Sequence, residues 1–145
     1  MLCLLPVRSN LTGSRQDKKE PVLFGWEKEP EGVDLETVVK ALSLKIRSGG
    51  DKLKTQILGG YAGDLLSDVM ANSKEGDIWI TRQVHQNIVA VASLKELAGI
   101  ILVQGSEPAK DTLDKAKKED IPIMISDLSA FEVAGRINDL MKKNN

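Results

Sequence analysis

From Ile78 onward the chain alternates short apolar runs with longer stretches that are apolar at every third or fourth position. Ile78-Trp79-Ile80-Thr81, Ile100-Ile101-Leu102-Val103 and Ile121-Pro122-Ile123-Met124-Ile125 are nearly unbroken. Strands covered on both faces read this way. Pro122 falls near the first position of its run, where a missing donor is tolerated. Between the runs the spacing predicts helices. Asn87 to Leu97 is apolar and rich in Ala and Val, and Gly99 is expected to end it and to open the next strand. Lys110 to Glu119 is charged, with Leu113 and Ala116 on the inner side. Ser129-Ala130-Phe131-Glu132 reads as a capping box, with Ser holding the amide three residues on and Glu reaching back. The helix it opens runs to about Lys143 and offers Phe131, Val133, Ala134, Ile137 and Leu140 for burial. Alternation of this kind predicts a mainly parallel sheet, helices on both faces and right-handed crossovers: a three-layer α/β/α fold.

Upstream the signals are weaker. Asp34 is placed to cap a helix over Leu35 to Leu42. Ser43 to Arg47 and Leu53 to Leu58 each alternate, and Ser48-Gly49-Gly50-Asp51 between them is turn chemistry, so the pair predicts a small hairpin. Gly59-Gly60-Tyr61-Ala62-Gly63-Asp64 reads as a glycine-rich loop. Leu65 to Ser73 follows as a short helix with Leu65, Leu66, Val69 and Met70 inward. Residues 1–33 are polar, mixed in charge and punctuated by Pro and Gly, with one sticky point at Pro21-Val22-Leu23-Phe24-Gly25-Trp26. They predict a loosely ordered arm, and residues 34–145 the domain proper.

Composition narrows the chemistry. The 145 residues suit one domain. Aromatics are 3%, too few for a base-stacking platform, and a net charge of −1 supplies no basic stripe. Nucleic acid is therefore excluded as a partner. No run is long enough to span a bilayer, so no membrane partner is expected. The single cysteine, Cys3, forms no internal disulfide, and the apolar start Met1 to Val7 is too short for a signal sequence. A cytoplasmic protein is expected.

The region from about Leu35 to Met141 resembles the DRTGG domain family. The resemblance rests on Gly59-Gly60-Tyr61 with Asp64-Leu65-Leu66-Ser67-Asp68-Val69-Met70-Ala71 and on Gly76-Asp77-Ile78-Trp79-Ile80-Thr81. It also rests on Gly99 to Val103 with Gly105-Ser106-Glu107-Pro108, and on Ile121-Pro122-Ile123. The family is similar in fold to the N-terminal domain of HPr kinase/phosphorylase, and related domains sit inside phosphotransacetylases and CBS-domain pyrophosphatases. The resemblance implies a stand-alone bacterial regulatory domain without the kinase half, of a subgroup associated with iron-hydrogenase subunits. The signature departs here. Where the family carries an Asp-Arg pair, this chain reads Thr81-Arg82-Gln83-Val84-His85. Where it carries Thr-Gly-Gly, the chain reads Val103-Gln104-Gly105, and only Gly105 matches. No Gly-x-x-x-x-Gly-Lys-Ser/Thr string exists in the chain, so it has no phosphate loop of the kinase type.

In an open parallel sheet ligands bind beyond the carboxyl ends of the strands. The loops expected there are Gly60 to Asp64, Thr81 to Asn87, Gln104 to Pro108 and Ser126 to Ser129. The candidate ligand-binding residues are Gly60, Asp64, Arg82, His85, Asn87, Gly105 and Glu107, with backbone amides from Gly60 and Gly105. His85 is the only imidazole. It has two readings, a structural one, capping the helix or bonding a loop carbonyl, and a contact to a ligand or a second subunit; with no second His and no usable Cys, it does not make a zinc site. Asp64 complements a helix start or contacts a metal or sugar hydroxyl. Gly105 to Pro108 is a turn or an anion seat. Arg82 pairs with a phosphate, with Asp64 or with Glu107. No nucleophile–base–orienter set is visible, no catalytic residue is assigned, and no cofactor or metal is expected. The favoured reading is a non-catalytic regulatory module, homodimeric, binding a small phosphorylated ligand or a partner protein. The alternatives are an accessory subunit of a redox complex, and an enzyme of phosphoryl-transfer or hydrolase type acting through His85 and Asp64.

Overall fold

The computed structural model describes residues 32–143. The predicted arm falls outside them except for Gly32 and Val33. In chain order the elements are β1 (Val33–Asp34), α1 (Leu35–Leu42), β2 (Lys45–Ser48), a 3-10 turn (Gly50–Lys52), β3 (Gln56–Ile57), β4 (Gly59–Ala62) and α2 (Leu66–Asn72). Then come β5 (Asp77–Thr81), α3 (Asn87–Leu94), β6 (Gly99–Leu102), α4 (Lys110–Glu119), β7 (Ile123–Ile125) and α5 (Ala130–Lys143).

The apolar runs become the parallel centre of a five-stranded sheet ordered β2-β7-β6-β5-β4. The strands β4 to β7 are parallel, and β2 runs antiparallel along β7 with a register shift between Ile46 and Ser48. Because β4, β5, β6 and β7 step across the sheet in one direction, right-handed crossovers put α2, α3 and α4 on the same face. The packing agrees. Trp79, Ile100, Leu102, Ile123 and Ile125 lie under Val69 of α2, Ile88 and Val89 of α3 and Ala116 of α4. The alternate positions Ile78, Ile80, Ile101 and Met124 face Leu35, Val38 and Leu42 of α1 and Val133 and Ile137 of α5. A period of two along each strand thus feeds two separate cores, giving the three layers predicted. Asp34 caps α1 as expected, accepting from the Thr37 amide at 2.9 Å and its hydroxyl at 2.7 Å. The hydroxyl first, and then the amide, hold the Asp34 carboxyl below its ordinary pKa.

Several local expectations are corrected. A small antiparallel pair exists, but it joins β3 to β1, with Val33 opposite Ile57. The run predicted as its first strand goes instead to the edge of the main sheet as β2. Alternation reports a buried face without naming the pairing partner. The turn after β2 holds it there: Gly49 has φ +78, and a Cβ on it would stand 2.6 Å from the Pro122 Cα. Gly59 to Ala62, expected as a loop, is the edge strand β4. A Cβ on its first glycine would stand 2.7 Å from the Asp77 carboxylate, so a larger residue there would have to push that side chain aside.

α3 stops at Leu94, before the predicted Leu97, and Glu96 turns the chain at φ 55. Leu97 is buried all the same, from the connector. Leu65 precedes α2 rather than packing beneath it and is 67% exposed. Phe131 is 88% exposed, because the buried stripe of α5 runs through Val133 and Ile137 and a residue two places earlier points elsewhere. Among the described residues no helix is long and apolar enough to cross a membrane.

Candidate functional site at the carboxyl rim of the sheet

All four parallel strands deliver their following loops to one rim. The first loop, Gly63 to Leu65, is pinned from beneath. The buried Trp79 ring donates its indole N–H to the Gly63 carbonyl at 2.8 Å. Thr81, 2% exposed at the end of β5, donates its hydroxyl to Asp64 Oδ1 at 2.6 Å. The Arg82 amide donates to the same oxygen at 2.9 Å, and the Gln83 side-chain amide to the Asp64 carbonyl at 3.0 Å. The two bonds to Oδ1 are stronger to the anion than to the neutral acid, so they hold Asp64 below its ordinary pKa. The Thr81 hydroxyl contributes most, then the Arg82 amide; partial burial opposes them and the Arg82 charge adds to them. Tyr61 at the edge donates its hydroxyl to Asp68 on α2.

The loops after β6 and β7 are laced to each other. The Gln104 amide donates to the Leu128 carbonyl and the Gly105 amide to the Ser126 carbonyl, each at 2.9 Å. Gln104 and Gly105 both have positive φ, 55° and 68°. The Gly105 amide, predicted as a free donor for a ligand, is therefore committed to the scaffold. Glu107 is also engaged: Arg47 of β2 donates Nε at 2.8 Å and Nη2 at 2.6 Å to its two oxygens. This fork-on-fork pair raises the Arg47 pKa and lowers that of Glu107. Lys45 stands 3.8 Å from Asp127 beside it. Arg82 thus pairs with neither acid through its guanidinium; Glu107 belongs to Arg47, which sequence reasoning passed over as a strand cation.

His85 and Asn87 lie apart from both groups. The His85 Nδ1 accepts the Asn87 amide at 3.2 Å and so caps the start of α3, one of the two readings held open for it. The neighbouring Val84 carbonyl is taken by the Ala109 amide and the Thr112 hydroxyl, which tie this loop to α4.

What the rim does bring together is a cleft of about 410 Å³ between the β4 and β5 loops and the start of α5. Asp64, Thr81, Arg82, Gln104 and Ser129 supply its polar wall and Phe131 its apolar lip. Of the predicted residues, Asp64 and Arg82 line it; Gly60 lines an adjoining groove of about 400 Å³ along α5, and its amide belongs to the sheet edge. Thr81, Gln104, Ser129 and Phe131 were missed as site residues. The signal for Ser129 was its capping box, and that is half formed: Ser129 Oγ accepts the Glu132 amide at 3.2 Å, while the Glu132 carboxylate pairs with Arg136 at 3.0 Å. Among the described residues no three His, Cys, Asp or Glu side chains gather as a metal site would require. Nor does a hydroxyl, imidazole and carboxylate set assemble here, since the one imidazole faces α3.

No curated protein matches the sequence. The fold matches a solved structure of the CBS and DRTGG domains in the regulatory region of the Clostridium perfringens pyrophosphatase, in complex with its activator diadenosine tetraphosphate. The TM-score is 0.60 at 18% identity, over 72% of this chain and 46% of that one, so this chain spans less than half of that neighbour. The DRTGG family pattern itself matches residues 37–140, from the first turn of α1 to the last turns of α5, and the chain belongs to the DRTGG domain family.

Proposed function

We propose that this DRTGG domain is a non-catalytic regulatory module that binds a small phosphorylated ligand in the rim cleft and works as a homodimer. The observation that carries the reading is Arg82. Its backbone is fixed by Asp64, yet among the described residues its guanidinium makes no hydrogen bond or ion pair, and it stands at the wall of a cleft of ligand size. An unpaired guanidinium on an anchored backbone suits the forked recognition of phosphate. Ser129 and the first turn of the 14-residue α5 add the positive end of a helix dipole to the same cleft. Recognition rather than turnover follows from the rest of the rim, whose other charged and imidazole groups serve the scaffold. The regulatory sense is supported by the neighbour, a regulatory region that binds a dinucleotide polyphosphate.

Calorimetric titration with diadenosine tetraphosphate, AMP and inorganic phosphate tests this. Binding of at least one is expected. Arg82→Ala is expected to weaken it at least about tenfold, the loss of one charge-assisted bond of about 1.5–3 kcal/mol. His85→Ala, outside the cleft, is expected to leave affinity intact. Silence with all three probes, or affinity indifferent to Arg82→Ala, defeats the proposal.

A further inference from the structure

The two edges of the sheet are built differently. Strand β2 carries Lys45 and Arg47 and a register shift, devices that keep a free edge from pairing with another chain. Strand β4, at the other edge, is Gly-Gly-Tyr-Ala, without charge, proline or bulge. The Gly63 amide donates inward to the Ile80 carbonyl, so by the period of two Gly60 and Ala62 direct their own N–H and C=O groups outward. Both residues are exposed. Beside them runs the groove of about 400 Å³ between β4 and α5. Its walls include Gly60, Ala62, Ala134, Gly135 and Met141, and among the described residues no charged side chain lines it. Nothing lies within 4 Å of a Cβ placed on Gly135. At its rim end stands the Phe131 ring, 88% exposed.

We infer that β4 pairs antiparallel with β4 of a second copy about a two-fold axis at Tyr61. This rests on the dimer in the proposed function and not on its ligand. Gly60 of each chain then exchanges both backbone bonds with Ala62 of the other, which satisfies every outward group of the two strands. The same operation carries each Phe131 from its own Ala62 end toward the partner's Gly135 and Met141. A projecting ring and a vacant small-residue groove on one face are what a self-complementary two-fold contact requires. The composition fits an interface core, with an aromatic and a methionine present and charge absent. Two Phe131 rings, the walls that receive them and the paired strands remove roughly 1,000 Å² from water, about what a specific interface needs. The resulting sheet has ten strands, closed at each end by a charged β2.

Analytical ultracentrifugation of the full chain tests the assignment, together with amide exchange at Gly60 and Ala62. A micromolar dimer is expected, with both amides protected. Ala62→Pro removes an outward donor that makes no bond among the described residues. Gly135→Arg fills the groove from an exposed helical position outside the rim cleft. Each is expected to weaken the dimer at least about tenfold and to free the Gly60 amide, and Gly135→Arg the Ala62 amide as well, with unchanged circular dichroism. Lys117→Glu, on the outer face of α4, is expected to change nothing. A chain that stays monomeric into the high micromolar range overturns both this surface and the dimer reading. A dimer that survives Gly135→Arg with both amides still exchanging freely overturns the surface alone. Phosphate-ligand titration of Gly135→Arg reads the rim cleft separately.

Discussion

Asp64 shows how a residue chosen for chemistry is held for structure. Its Oδ1 accepts the Thr81 hydroxyl and the Arg82 amide, and both bonds are stronger to the anion. The folded pKa is therefore depressed. Such a group adds stability above its unfolded pKa and loses it as pH falls through the folded value, so the loss falls below about pH 4. At neutral pH Asp64→Asn is expected to cost about 1 kcal/mol, discounted for the exposure of the carboxylate. Toward pH 3 the variant and the parent should converge. Urea midpoints measured across that range decide it; parallel curves for the two proteins would show that Asp64 is not the latch. The bidentate Arg47–Glu107 pair is geometrically better but more exposed, and it contributes less than its distances suggest.

At the scale of elements, burial depends on which face an element turns inward. Leu102 of β6 is 0% exposed, between α3 and α4, whereas Leu65 before α2 is 67% exposed. Leu102→Ala is expected to cost about 2–5 kcal/mol and Leu65→Ala under about 0.5 kcal/mol, read from chemical denaturation. Equal losses would contradict the placement of α2. The same logic explains α5. Its stripe of Val133, Ile137 and, partly, Leu140 covers the sheet and leaves Phe131 and Gly135 at the margin, beside β4, whose outer side pairs with no strand among the described residues.

For the whole molecule the single direction of winding matters most. Three helices share one face, α1 and α5 cover the other, and the loops of four successive strands open at one end. The central strands β5 and β6 have neighbours on both sides and helices on both faces. Their amides, at Ile80 and Ile101 for example, are expected to exchange only through global unfolding. Those of the two-residue pair β1–β3 should exchange by local opening. Hydrogen exchange in the native state checks this; fast exchange at Ile101 would mean that β6 is not the centre.

The sequence by itself determined the parallel strands, the helices between them, the three layers and the Asp34 cap, because a period of 2 or 3.6 and a capping side chain are written within a few residues. It also marked Asp64 and Arg82 for the rim, since both follow a predicted strand–loop order. Only the tertiary structure decided that Arg47 would reach Glu107 from 60 residues away, that the Gly105 amide would be spent on Ser126, and that His85 would face α3. It also decided that a glycine-rich stretch would serve as an edge strand. Those outcomes depend on which strand lies beside which, and pairing is settled by packing between segments distant in sequence, which no local pattern encodes.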